Sequence, residues 1–266
     1  MSRRILLINP IGIDIMDTVT LEVVAPAMLP DTELECRSLG GPGIPPSPFL
    51  APAQTYTNQL LAMVAGAADE GFDAVALCCS GDPALSLAKS ISPVPIVGAN
   101  EAACATARTI GKVAFLQRRL PSSFVERMPT QRNDHWLRRL VASYGMPDID
   151  VDIRPVPIPD HPSHADTMAL AESDPIRLRD LVLDAMERAA LTTGLEQAKA
   201  AVADGAKAVY FNCTFWGGLL GPVAEQITPG LVLDPLVVAA KYAEHLAVLA
   251  EPTARPQSRP RPLESE

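Results

Sequence analysis

Short apolar runs, each closed by a polar or turn residue, recur along the chain and alternate with stretches of helical spacing. The run from Arg4 to Ile8, ended by Asn9-Pro10, reads as a central parallel strand covered on both faces. Ala74–Leu77, Pro95–Gly98, Lys112–Leu116, Ala208–Phe211 and Leu231–Leu233 repeat that pattern. Asp150 to Ile158 is extended with alternating prolines, as suits a strand near a sheet edge. Helical spacing covers Thr55 to Glu70, stopping at Gly71, and Asn100 to Ile110. It returns over Phe124 to Tyr144 and over Leu236 to Leu249. A longer helical region runs from the cap Asp174-Pro175 to Gly205, with a break expected near Thr192-Thr193-Gly194. Asp82-Pro83 reads as a cap followed by proline at the first helical position. Leu39 to Pro52 is dense in glycine and proline and reads as irregular loop.

Strands alternating with helices of this length predict an α/β fold with doubly wound, parallel sheets. In such sheets ligands sit beyond the carboxyl ends of the strands. Asn9, Cys79-Ser80, Leu116-Gln117 and Cys213-Thr214 all fall there.

One stretch is written twice. Glu70-Gly71-Phe72-Asp73-Ala74-Val75 leads to Cys79-Ser80, and Asp204-Gly205-Ala206-Lys207-Ala208-Val209 leads to Cys213-Thr214. In both, a cysteine stands eight residues after the glycine with a hydroxyl residue behind it, which selects Cys79 over Cys78. A thiol at the end of a buried strand in each of two similar halves predicts a two-cysteine active site between Rossmann-like lobes related by a pseudo-twofold axis. The expected division is 1–98 plus 222–251 for the lobe with Cys79, 99–221 for the lobe with Cys213, and a disordered tail over 252–266.

Composition narrows the function classes. With 266 residues the chain can hold one large or two modest cores, and a net charge of −9 argues against a phosphate backbone as partner. The basic cluster from Arg118-Arg119 to Arg139 is mixed with Glu126 and Asp134 and reads as solvated surface. No apolar run approaches the roughly 20 residues that span a bilayer. Met1 to Asn9 has too short an apolar run for a signal peptide, so a cytoplasmic location is expected. Five scattered cysteines then read as free thiols; Cys36, Cys78 and Cys104 are expected to be small core residues. His161-Pro162-Ser163-His164 lacks matching carboxylate or thiol spacing and reads as a surface or lid loop rather than a metal site. Gly40-Gly41-Pro42-Gly43 lacks the strand–turn–helix setting of a phosphate loop. No cofactor or metal is expected, and the apolar helices are compatible with a homo-oligomer.

The chain resembles the aspartate/glutamate/hydantoin racemase family. The residues that carry the resemblance are Ile8-Asn9-Pro10, Cys79-Ser80-Gly81-Asp82-Pro83, Pro95-Ile96-Val97-Gly98 with Glu101-Ala102-Ala103, Asn212-Cys213-Thr214, and Asp234-Pro235. The first cysteine motif is closest to the hydantoin-racemase version. The resemblance implies a cofactor-independent racemase or epimerase of a small acid, amino acid or cyclic amide, with Cys79 and Cys213 as the catalytic pair. Asn9, Ser80, Gly81, Gln117, Thr214 and Phe215 are the expected substrate contacts. Three positions depart from the family's pattern. Ile11-Gly12 replaces Asn-Thr, Gln117-Arg118-Arg119 stands where threonines are frequent, and Phe215-Trp216 replace small residues, which predicts a narrower pocket or a stacking face.

Inverting a carbon acid needs a base on one face and an acid on the other, and a thiol near its ordinary pKa can be either. The dipole of a helix starting at Asp82-Pro83 is expected to favour the Cys79 thiolate. The same plan also accommodates a malonate decarboxylase with one cysteine, or a cis–trans isomerase like the family's maleate isomerases. A non-catalytic small-molecule binding protein on the same scaffold is the reading from a different class.

Overall fold

The computed structural model describes residues 2–41, 44, 46–49, 53–122, 135–145 and 151–250. Part of the helix expected over 124–144 and the tail expected from 252 lie outside them.

Among the described residues, eight parallel strands form two sheets of four. The first holds β1 (Arg3–Asn9), β2 (Thr32–Ser38), β3 (Ala74–Leu77) and β4 (Ile96–Gly98) in the order β2-β1-β3-β4. The second holds β5 (Val113–Arg119), β6 (Asp152–Pro157), β7 (Ala208–Phe211) and β8 (Leu231–Leu233) in the order β6-β5-β7-β8. Topology repeats, and so does register: Ile8 pairs with Leu77 in one sheet and Leu116 with Phe211 in the other. The duplicated stretch repeats down to single hydrogen bonds. Phe72 and Gly71 N–H donate to the Ala67 and Ala68 carbonyls, and Ala206 and Gly205 N–H to those of Ala201 and Val202. This helix end needs a left-handed residue, which Gly71 (φ +79°) and Gly205 (φ +88°) supply.

Each sheet is covered on both faces, which is why the central strands are continuously apolar. On the first sheet, Leu6, Ile8, Val75 and Leu77 pack with Leu60 and Val64 of α2 (Ala53–Gly66). Ile5, Leu7, Ala74 and Ala76 pack on the opposite side with the alanines of the C-terminal helix Pro235–Ala250. On the second sheet, Leu116, Val209 and Phe211 face Leu178, Val182 and Met186 of the helix Pro175–Ala189. Val113, Phe115, Ala208 and Tyr210 face Leu137 and Val141 of the helix His135–Ser143.

The helix Ala99–Ile110 serves both sheets. It gives Ala99 and Ala102 to the first and Ala103, Cys104 and Ala107 to the second. Small side chains on both faces let one helix sit between two sheets at close range, where each added methylene is costly.

Three expectations differ from what is observed. First, α1 (Asp17–Val24) and β2 were not foreseen; β2 is a polar edge strand, Thr-Glu-Leu-Glu-Cys-Arg-Ser, paired along β1 and joined to it by ion pairs such as Arg4–Glu35. Second, the stretch 222–251 is divided: β8 pairs with β7 in the second sheet, and only the helix from Pro235 returns to the first. Third, the region near Thr192-Thr193-Gly194 is a wide π-helical turn over Ala190–Gly194 that carries the helix on to Ala203. A Cβ at Gly194 would come within 3.0 Å of both the Ala189 carbonyl and the Phe211 ring.

Candidate active site

The chain leaves β3 at Leu77 with Cys78 N–H still donating to the Ile8 carbonyl at 2.8 Å. Strand alternation therefore persists through the cysteines. Cys78 packs with Ile5, Leu7, Ala74 and Ala76, and Cys79 lies on the opposite face with the parity of Val75 and Leu77. Cys78 is buried and Cys79 half-buried. On β7, Cys213 has the parity of Val209 and Phe211 and packs in their cluster.

The two thiols lie within electrostatic range of each other. The Cys79 thiol is pushed up to about 12, foremost by burial and further by Cys213 and by the carboxylate of Asp82. The Gly81 N–H and the Arg118 guanidinium act in the opposite sense. Cys79 therefore holds its proton at neutral pH. The expected helix dipole does not act on it, because the next helix begins only at Leu85, after Ala84 in a left-handed conformation (φ +55°).

Asp82 explains that displacement. Itself left-handed (φ +43°), it turns away from the residues after it. Its carboxylate accepts from Asn100 N–H at 3.1 Å and Glu101 N–H at 2.8 Å, capping the helix Ala99–Ile110. It also accepts from the Tyr144 hydroxyl at 2.6 Å. A Cβ on Gly98 would overlap that carboxylate. Asn100 in turn donates to the Ser80 carbonyl, so the Cys79 loop is fixed to the helix shared by the two sheets. Burial raises the Asp82 carboxyl to about 6.

The expected substrate contacts are placed unequally. Ser80 and Thr214 are buried and bridge the lobes: the Ser80 hydroxyl lies 3.1 Å from the Tyr210 hydroxyl, and Thr214 donates to the Cys78 carbonyl at 3.0 Å. The Gly81 backbone N–H faces the Cys79 sulfur. Gln117 is buried, accepts from the Asn212 amide and donates to the Arg118 carbonyl at 3.2 Å. Phe215 is buried in the cluster that holds Cys213.

Asn9 is placed differently. It lies on the face of the first sheet opposite Cys79, and its amide donates to Asp17 at 2.7 Å, to Thr20 and to Cys36. Those bonds tie β1 to α1 and β2. Trp216 offers no stacking face either, since it is fully buried, donates to the Met186 carbonyl at 2.9 Å and meets Phe211 edge-on.

Two groups read as surface belong to the site. Arg118 continues the face of Leu116, on the side of the sheet where Cys213 packs, and its charge reaches Cys79 and His161. The Gln117–Asn212 bond on the opposite face shows that this register persists past the strand end. Parity in β5, set against the repeat in β7, was the signal for Arg118. His161 is buried rather than on a surface loop. Burial lowers its pKa to about 4, with Arg118 adding to the effect, and its Nδ1 lies 2.9 Å from the Pro162 carbonyl. Tyr56 also stands near Cys79, whose charge adds to burial in raising the phenol. Among the described residues no cluster of His, Cys, Asp or Glu could hold a metal ion, and no helix is long and apolar enough to cross a membrane.

Comparison with known proteins agrees with this architecture. The family model described as Asp/Glu/Hydantoin racemase matches residues 5–243. A hydantoin racemase of Paenarthrobacter aurescens is 28% identical over 198 residues, spanning 73% of this chain and 70% of that protein. A hydantoin racemase of Rhizobium meliloti is 28% identical over 187 residues, spanning 70% and 65%. Among solved structures, an allantoin racemase from Klebsiella pneumoniae superposes with a TM-score of 0.64 at 21% identity, covering 93% of this chain and 89% of that one. The chain belongs to the Asp/Glu/Hydantoin racemase family and is an isomerase of the racemase kind.

Proposed function

We propose that the protein inverts the stereocentre of a small carbon acid, a hydantoin-like cyclic amide or an amino-acid derivative, by proton transfer between Cys79 and Cys213 without a cofactor. The observation that carries this reading is the pair of equivalent strand ends whose thiols lie close enough to influence each other. Because Cys79 rests protonated, it is the acid for one enantiomer, and Cys213 is the base. Cys213 takes the α-proton, the electron pair passes into the adjacent carbonyl, and Cys79 delivers its proton to the opposite face. Cys213 is left as thiol and Cys79 as thiolate, which is the state required by the other enantiomer. The Gly81 N–H, already directed at the Cys79 sulfur, supports that thiolate.

A positioned acid or base contributes about 10²- to 10⁴-fold. Cys79→Ser and Cys213→Ser should therefore each lower racemisation at least about 100-fold with the melting temperature unchanged. Substantial turnover in both single variants would contradict the mechanism. Release of CO₂ from a malonate without α-proton exchange would replace it with decarboxylation. Equal, slow alkylation of every thiol, together with no turnover, would leave a binding protein.

A further inference from the structure

Arg118 is a position where the second strand end departs from the first. Its counterpart by register is Pro10: Ile8 pairs with Leu77 as Leu116 pairs with Phe211, so Pro10 stands to Cys79 as Arg118 stands to Cys213. Arg118 is half-buried, on the face that carries Cys213 and close enough to act on Cys79 and on His161. Among the described residues no carboxylate lies within ion-pairing distance of it. Asp82, the acid nearest Cys79, is already engaged by two backbone N–H groups and Tyr144. A half-buried arginine with no carboxylate beside it among the described residues favours an anion from elsewhere, and its planar fork matches a carboxylate.

We propose that Arg118 is a specificity-determining residue that binds a carboxylate on the substituent of the reacting carbon, so that the preferred substrate is an anionic member of the hydantoin or amino-acid-derivative class. This rests on the two-thiol reading above. His161 remains neutral and adds no second charge, which leaves Arg118 as the group that distinguishes a carboxylate from its amide.

The test compares 5-carboxymethylhydantoin with its uncharged isostere 5-carbamoylmethylhydantoin, following deuterium entry at the ring carbon in D₂O, corrected for the uncatalysed exchange. In the unaltered protein the carboxylate should have the higher kcat/KM. In Arg118→Gln the ratio of the two should fall about 10- to 100-fold, chiefly through KM, the range for a charged hydrogen bond, and Arg118→Lys should restore part of it. Taking the ratio cancels any effect of Arg118 on the thiols that both substrates share. Equal kcat/KM values in the unaltered protein, or a ratio that Arg118→Gln leaves unchanged, would overturn the proposal. Calorimetric titration of the same two compounds separates the failures. If neither compound exchanges, yet the carboxylate alone binds and loses affinity in Arg118→Gln, the assignment of Arg118 stands and the two-thiol reading on hydantoins falls. If the carboxylate binds no better than the amide, the assignment falls by itself.

Discussion

On the first sheet the strand end at the candidate site carries Cys79, followed by the acid Asp82 and flanked by Pro10. On the second it carries Cys213, followed by the apolar Phe215-Trp216 and flanked by Arg118. The backbone plan is the same, down to the glycine that ends each preceding helix. The support differs. The Cys79 loop is held by polar contacts to the helix Ala99–Ile110, the Cys213 loop by burial of Trp216 and by bonds to Met186 and Cys78. A duplicated fold thus presents two thiols from equivalent positions in unlike electrostatic settings. A racemase must handle two mirror-image substrates, but it need not do so with mirror-image surroundings. One thiol is held protonated by burial and a nearby acid, while Arg118, on the other sheet, is the group proposed to orient the substrate.

The largest effect on stability that probes this contrast concerns Asp82. Its carboxyl rises from 3.8 unfolded to about 6 in the fold, so between those values the folded state binds more protons than the unfolded state. Stability should therefore fall as pH rises from about 4 to 6, by roughly 3 kcal/mol in all from this group. Asp82→Asn should remove that slope, whatever its effect at any single pH. Denaturant titrations of both proteins across the window check it; equal slopes would show that the clamp does not titrate. Removing the charge should also speed alkylation of Cys79, since Asp82 holds that thiol up.

Next is Gly98→Ala, which pushes a methyl group into the Asp82 carboxylate. Overpacking of this kind costs about 1–3 kcal/mol, and kcat should fall with it because the Cys79 loop is displaced. Full activity with unchanged stability would mean that the clamp does not position the thiol.

The smallest change sits on the other half. Trp216→Phe removes the donor to the Met186 carbonyl and should cost about 1 kcal/mol with KM unaltered. A marked rise in KM would return Trp216 to the substrate pocket.

Much of the fold was legible because the central strands β1, β3, β5 and β7 are buried on both faces and so spell continuous apolar runs. The edge strand β2 escaped notice because its polar alternation resembles a solvated loop, and its partners on β1, including the Arg4 that pairs with Glu35, are distant in sequence. The two cysteines were legible through the repeat. The face taken by Asn9 was not legible from the strand end alone; the parity shared with Cys78 gives it. Asp82 was recognised as a cap, but for the wrong helix, because the helix it caps is distant in sequence.

The central claim, two monoprotic groups acting from opposite faces, is tested most directly by starting from a single enantiomer in D₂O and analysing both enantiomers by mass spectrometry before one tenth has reacted. Each thiol carries one exchangeable hydrogen, so the account predicts deuterium in essentially all of the inverted product and almost none in the recovered substrate. Deuterium appearing equally in both would mean that one base serves both faces, and would contradict it.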